Sequence, residues 1–127
     1  MKPFSHALCS GLIADGWEVD SHTIDHPDLT TVSDARLAYE LVASRHAIAR
    51  RFGVDPEFFC YPYGRYDARV EAAVARAGHR AATTEDEGYA TATKPFALPR
   101  VRVEDTDTPA SLLARLRRSV RRLWPSS

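Results

Sequence analysis

An apolar stripe at helical spacing, Leu37, Leu41, Ile48 and Phe52, begins after Ser33 and stops at Gly53. Ser33 is a good N-cap, because its hydroxyl can accept an N–H freed in the first turn. Gly53 can take the left-handed conformation that ends a helix. The next residues, Glu57 to Gly64 (EFFCYPYG), change period: a short apolar run closes on a Pro-Tyr-Gly turn, which reads as a strand. The same succession recurs. Phe4 to Ala14 reads as a short helix closed by Gly16, and Trp17 to Asp20 (WEVD) as a strand. Asp67 can cap a helix through Val70, Val74 and Ala77 that ends at Gly78. His79 to Thr84 then reads as a strand, Glu85 to Pro95 as a loop, and Phe96 to Val103 as a last strand containing Pro99. Thr108 and Pro109 open a final helix, 108–124, with the stripe Leu112, Leu116, Val120 and Leu123. Strands alternating with helices point to parallel βαβ units, an α/β fold in which the loops after strand C-terminal ends carry the chemistry.

Size and charge narrow this further. The 127 residues make a single domain that can bury a core of one sheet and a few helices. Hydrophobic residues at 44% and charged residues at 27% fit a globular chain. Seventeen basic residues balance seventeen acidic ones, so global charge does not point to nucleic acid. Cys9 and Cys60 form no CxxC pair and read as reduced, packed residues. No apolar run reaches membrane-spanning length, and the N-terminal segment lacks an export-signal pattern, so the chain as written would stay where it is made.

Ser21 to Leu29 (SHTIDHPDL) places His22 and His26 four positions apart. That spacing also occurs in the HExxH helix of zincins. Here Pro27 pushes His26 out of the helical region, and Thr23 stands where the zincin glutamate would be. A strand-to-turn site remains: His22 projects from the sheet rim and the turn through Asp25 returns His26 beside it. Two neutral imidazoles suit Zn²⁺ and other borderline divalent ions. Asp20 or Asp25 could accept the far ring N–H of a ligand, and Asp20, on the same strand face as His22, could itself ligate. The remaining histidines read blandly: His46 exposed on the long helix, His79 after a helix end, His6 on the first helix.

These residues resemble a known family. GWEVDSHTIDHPDL (Gly16 to Leu29) is similar to the second motif of polysaccharide deacetylases, the NodB-homology family, with its pattern His-Ser/Thr-x-x-His-Pro. FFCYPYGRYD (Phe58 to Asp67) resembles the third motif, Arg-x-Pro-Tyr-Gly, and the later strands AGHRAATT and LPRVRV resemble the same domain. The match is strongest over 16–103. The resemblance implies a distorted (β/α)-barrel, of which residues 1–127 would be a partial domain, with a largely parallel sheet. It implies a hydrolase that removes N-acetyl groups from an amino-sugar polymer. It also implies a divalent metal, Zn with Co, Ni or Mn as alternatives, held by an aspartate and two histidines, here His22 and His26. The backbone N–H of Tyr63 would help hold the oxyanion, with Pro62 and Gly64 shaping the substrate-facing turn.

The departures matter as much. None of the residues before His22 resembles the family's first motif, Thr-Phe-Asp-Asp, so the general base and the third ligand have no counterpart. Cys60 stands where the family often has an arginine, and no histidine follows His79. The expectation is therefore an inactive or weakly active chain whose open sheet edge favours self-association. Two other readings stand beside it. One is a remnant that binds metal or glycan without turnover, with Trp17, Tyr61, Tyr63, Tyr66 and Tyr89 as stacking surfaces. The other is an interaction module using the C-terminal helix, where Arg115, Arg117, Arg118, Arg121, Arg122 and Trp124 suit an anionic membrane surface. Against that last reading, the narrow stripe favours docking on the sheet with a solvated basic face.

Overall fold

The computed structural model describes residues 5–123, with side-chain surroundings through residue 118. Its elements run α1 (His6–Ala14), α2 (Asp34–Phe52), β1 (Phe58–Cys60), α3 (Ala68–Arg76), β2 (Ala81–Glu87), β3 (Leu98–Arg100) and α4 (Pro109–Leu123), with a 3-10 turn at Pro62–Gly64. The three strands lie in the order β1-β2-β3, all parallel. Parallel pairing requires crossovers, and α3 supplies the one between β1 and β2.

The helix boundaries follow from side-chain capping. Ser33 Oγ accepts the Arg36 N–H at 3.2 Å, and Gly53 closes α2 at φ 68°. Asp67 Oδ1 accepts the Val70 N–H at 2.8 Å and starts α3. At α4 the Thr108 Oγ1 accepts the Ser111 N–H at 3.1 Å, while Ser111 Oγ accepts the Thr108 N–H at 3.0 Å. Two otherwise unpaired donors are satisfied reciprocally. Phe4, read as part of the first helix, lies outside the described residues.

The core sits between one face of the sheet and the pair α2/α3. Leu37 and Leu41 of α2 and Val70, Ala73 and Val74 of α3 close over Phe59 and Ala82, with Leu29 and Tyr61 beside them. Tyr61 is fully buried, and its hydroxyl donates to the Phe96 carbonyl at 2.7 Å, which ties β1 to the segment before β3.

Three expectations need correction. Trp17–Asp20 is not a strand: only Ser21 bridges β1, opposite Phe59. The Ser21 N–H reaches the Phe58 carbonyl and the Cys60 N–H reaches the Ser21 carbonyl, but the Phe58 N–H goes to the Asp20 carboxylate at 3.2 Å. A side chain has taken the ladder position that a further backbone carbonyl would occupy. The strand after His79 also runs longer than its apolar residues, through Glu87, because Glu87 pairs with Arg100 across a register shift in the β2–β3 ladder. Finally, the α4 stripe is only partly covered, since Leu112 is half-buried while Leu113 and Leu116 are 47% and 37% exposed. The side chains of Val120 and Leu123, and all of Trp124, lie outside the described residues. Among those residues no helix is long and apolar enough to cross a membrane.

Candidate functional site

Because the strands are parallel, the segments that leave their C-terminal ends share one rim. His22 follows the bridged Ser21, and Tyr63 follows β1 by three residues. The structure brings them together. The His22 and His26 ring centroids are 4.7 Å apart and edge-on, and the His26 and Tyr63 centroids are also 4.7 Å apart.

His22 is oriented by the sheet. Its Nδ1 lies 2.7 Å from the Cys60 carbonyl oxygen, so Nδ1–H donates there and Nε2 keeps the lone pair. Contact with Cys60 raises the imidazole above its ordinary value, against the effect of burial, and the same contact lowers the Cys60 thiol. His26 is oriented by its turn. Thr23 and His26 both have positive φ, 73° and 56°, and the His26 N–H donates to Thr23 Oγ1 at 3.0 Å.

Tyr63 sits at φ 58°, ψ 14° inside the 3-10 turn, between buried Pro62 and Gly64. The turn is closed by the Gly64 N–H to the Tyr61 carbonyl and the Arg65 N–H to the Pro62 carbonyl, and neither bond uses the Tyr63 N–H. Gly64 is required for packing as well as for its φ of 63°. A Cβ there would lie 2.7 Å from the Glu85 Cβ and 2.9 Å from the Glu85 nitrogen. The absence of that one carbon lets the tyrosine turn seat on β2.

The carboxylates expected to assist are engaged elsewhere. Asp20 holds the Phe58 N–H, and Asp25 pairs with Arg36. The far nitrogen of His22 is therefore held by a backbone carbonyl, which was within reach because β1 lies directly alongside. Among the described residues no group of three His, Cys, Asp or Glu converges to hold a metal ion. The donor set fits one half of a zinc site: two imidazoles, one with its tautomer fixed by a hydrogen bond. A cleft of about 290 Å³ lies further along the rim, lined by Glu85, Glu87, Arg100 and Arg102 with Val101 and Val103, and by neither histidine.

One residue of this site was not anticipated. Glu40 is fully buried on α2, and its Oε2 accepts the Ile24 N–H at 2.8 Å and the Asp25 N–H at 3.0 Å. Its place among the buried positions Leu37, Leu41 and Ser44 of the helix was the available signal. His79 also differs from its bland reading: it is 4% exposed, packs on Phe59, and neither ring nitrogen has a hydrogen-bond partner among the described residues. His46 is exposed, and His6 stacks on Phe52.

With this geometry in place, comparison with known proteins is decisive. The sequence model of the family described as polysaccharide deacetylase matches residues 6–82, more than half of the chain. The chain belongs to the polysaccharide deacetylase family. It is 38% identical over 63 residues to chitin deacetylase 1 of Cryptococcus neoformans, a match covering 50% of this chain and 13% of that protein. It is 34% identical over 58 residues to the chitin deacetylase of Amylomyces rouxii, covering 46% and 14%. Among solved structures, the Streptococcus pyogenes deacetylase PplD in complex with acetate superposes with a TM-score of 0.81 at 25% identity. That match covers 87% of this chain and 50% of PplD. A polysaccharide deacetylase from Bacillus cereus gives 0.75 at 22% identity over 87% of this chain and 36% of its own, which speaks to the fold alone. This deacetylase-family chain therefore corresponds to part of the length of each relative, half of PplD and a smaller share of the two chitin deacetylases. Its partial (β/α)-barrel architecture agrees with the sequence.

Proposed function

We propose that this chain carries the histidine half of a metal-dependent deacetylase that removes N-acetyl groups from amino sugars in a polysaccharide, and that by itself it turns over little. The observation that supports this is the convergence of His22, His26 and the Tyr63 turn at one rim of a parallel sheet. His22 Nε2 and the His26 ring would hold the cation, zinc first and Co, Ni or Mn as alternatives. Bound there, such an ion supplies polarisation of the acetamide carbonyl and a lowered pKa for the attacking water.

The chain's own groups do the rest. The Cys60 carbonyl keeps the His22 ring in one tautomer, and the Tyr63 ring packs against His26. The Tyr63 N–H, unused by its turn, is a donor for the oxygen of the acetamide as it gains charge. In the overall reaction, a C–O bond forms from water to the acetyl carbon and the C–N bond breaks. Acetate leaves, and the sugar amine takes up a proton. Taking the proton from water requires a base, and no carboxylate joins the histidine pair among the described residues. Asp20 and Asp25 hydrogen-bond the Phe58 N–H and Arg36 rather than either imidazole.

The test has two parts on the purified chain. Zinc titration with the unsubstituted, H22A and H26A proteins is expected to show binding that each substitution removes. Acetate release from N-acetylglucosamine oligomers with zinc is expected to stay close to the rate without protein. Undetectable zinc binding would overturn the metal reading, and rapid zinc-dependent release would overturn the weak-turnover reading.

A further inference from the structure

The histidine turn adopts a backbone that its own residues resist. A β-branched residue at positive φ is an outlier, yet Thr23 sits at 73° and His26 follows at 56°. Such conformations persist only where surrounding structure over-determines them. Between these two residues, the consecutive N–H groups of Ile24 and Asp25 point to a single oxygen, Glu40 Oε2. Successive N–H groups beside a left-handed residue form a concavity suited to an anion, and here the anion is a side chain of the protein itself.

The carboxylate is held from its other side as well. Arg36 Nε donates to Oε1 at 2.8 Å, and the Arg36 guanidinium also pairs with Asp25, a residue of the turn. Burial alone would raise the Glu40 carboxyl, but the two N–H groups and Arg36 bring it below its ordinary value, so it is charged. Glu40 and Arg36 thus grip the turn through two backbone donors and one side chain.

We infer that Glu40 is the positioning residue of the histidine pair: its carboxylate holds the Thr23–His26 turn in the conformation that brings the His26 ring against His22 and Tyr63. The inference rests on the metal reading for its consequence, a preorganised pair of imidazole ligands, but not for its geometry. Among the described residues the polar partners of the Glu40 carboxylate are the Ile24 and Asp25 N–H groups and Arg36, not a ring nitrogen, so it acts through the turn.

The test uses Glu40→Met, which keeps side-chain size and removes the acceptor, Glu40→Ala as a second acceptor-free form, and Glu40→Gln, whose amide oxygen can still take both N–H groups. Proton–proton NOEs between the His22 and His26 rings are read first. They are expected in the unsubstituted and Gln proteins and lost in the Met and Ala proteins, with helix content retained. Zinc affinity is expected to fall about 10–100-fold in the acceptor-free forms and to recover in the Gln form. If both acceptor-free forms fail to fold, amide exchange in the unsubstituted protein decides: protected Ile24 and Asp25 amides support the inference, and amides exchanging at the unprotected rate overturn it. Ring NOEs that persist in the Met or Ala protein overturn it too. If the unsubstituted protein binds no zinc while the NOEs respond as expected, the hydrolase reading fails and the positioning role stands.

Discussion

Nδ1 of His22 lies 2.7 Å from the carbonyl oxygen of Cys60, so the backbone of β1 decides which nitrogen of that histidine faces the rim. Cys60 also meets the ring through its thiol, whose pKa the contact lowers while raising that of the imidazole. The carbonyl contact places an oriented imidazole at a strand end before any ligand arrives.

The first prediction follows from that orientation. Replacing His22 with Gln, which cannot reproduce an Nε2 ligand held from Nδ1, should weaken zinc binding by roughly 100-fold or more, the upper end of what losing a supporting partner costs. Competition with a chromophoric chelator measures it. An unchanged affinity would show that the ion binds elsewhere.

The Tyr63 turn should be intolerant of any side chain at Gly64. Gly64→Ala would set a Cβ against the Glu85 backbone and strain a residue at φ 63°. The expected loss is about 1–3 kcal/mol, read from the denaturant midpoint. A variant as stable as the parent would mean the turn does not sit on β2.

Acid should destabilise the fold through His79. Burial lowers its pKa from 6.5 to about 4, with Arg45 adding to the effect and Asp20 and Asp55 opposing it. A histidine held neutral in the folded state binds fewer protons than in the unfolded chain. Its contribution is therefore complete above pH 6.5 and is lost as pH falls toward about 4. That difference corresponds to about 3 kcal/mol. Unfolding free energies across this range should fall in the parent and stay flatter in His79→Phe, which keeps the ring against Phe59.

Arg69 ties α3 to the loop that follows the histidines. Its guanidinium donates to the carbonyls of Leu29 and Val32, each at 3.0 Å, and pairs with Asp34 at 2.8 Å. Arg69→Ala should cost roughly 2–3 kcal/mol, the scale of hydrogen bonds made by a charged group. Arg69→Lys should recover only part of this, because an ammonium lacks the planar fork. Thermal and urea unfolding check both.

The sheet edge beyond Ser21 has no further strand among the described residues, and Trp17 beside it is 66% exposed. Open edges pair with other chains unless they are covered. Concentration-dependent association in sedimentation velocity, reduced by Trp17→Lys, is the expected outcome. A monomer at every concentration would count against it.

Some of this was legible in the sequence, and the reason is local. Ser33, Gly53 and Asp67 mark helix ends because a cap is made with residues three or four positions away. The Pro62-Tyr63-Gly64 turn and the His26–Thr23 hydrogen bond are equally short-range. What the chain hid were choices made across the fold. The Asp20 carboxylate ends the strand read at Trp17–Asp20 by taking a donor from a residue 38 positions on. Glu85 to Glu87 read as loop because exposed acidic residues give no apolar signal, yet β3 holds them in a ladder. Glu40 and His79 look like surface residues until packing buries them.

The sequence by itself determined most of the helices, the caps at Ser33, Asp67 and Thr108, the strands from Phe58 onward and the family motifs, since each depends on interactions within a few residues. Only the tertiary structure decided that Cys60 orients His22, that Glu40 grips the histidine turn and that Gly64 lies against Glu85. Each of those contacts joins segments at least fifteen residues apart. Which distant groups meet is set by how helices and sheet pack as a whole, and no short window of residues carries that information.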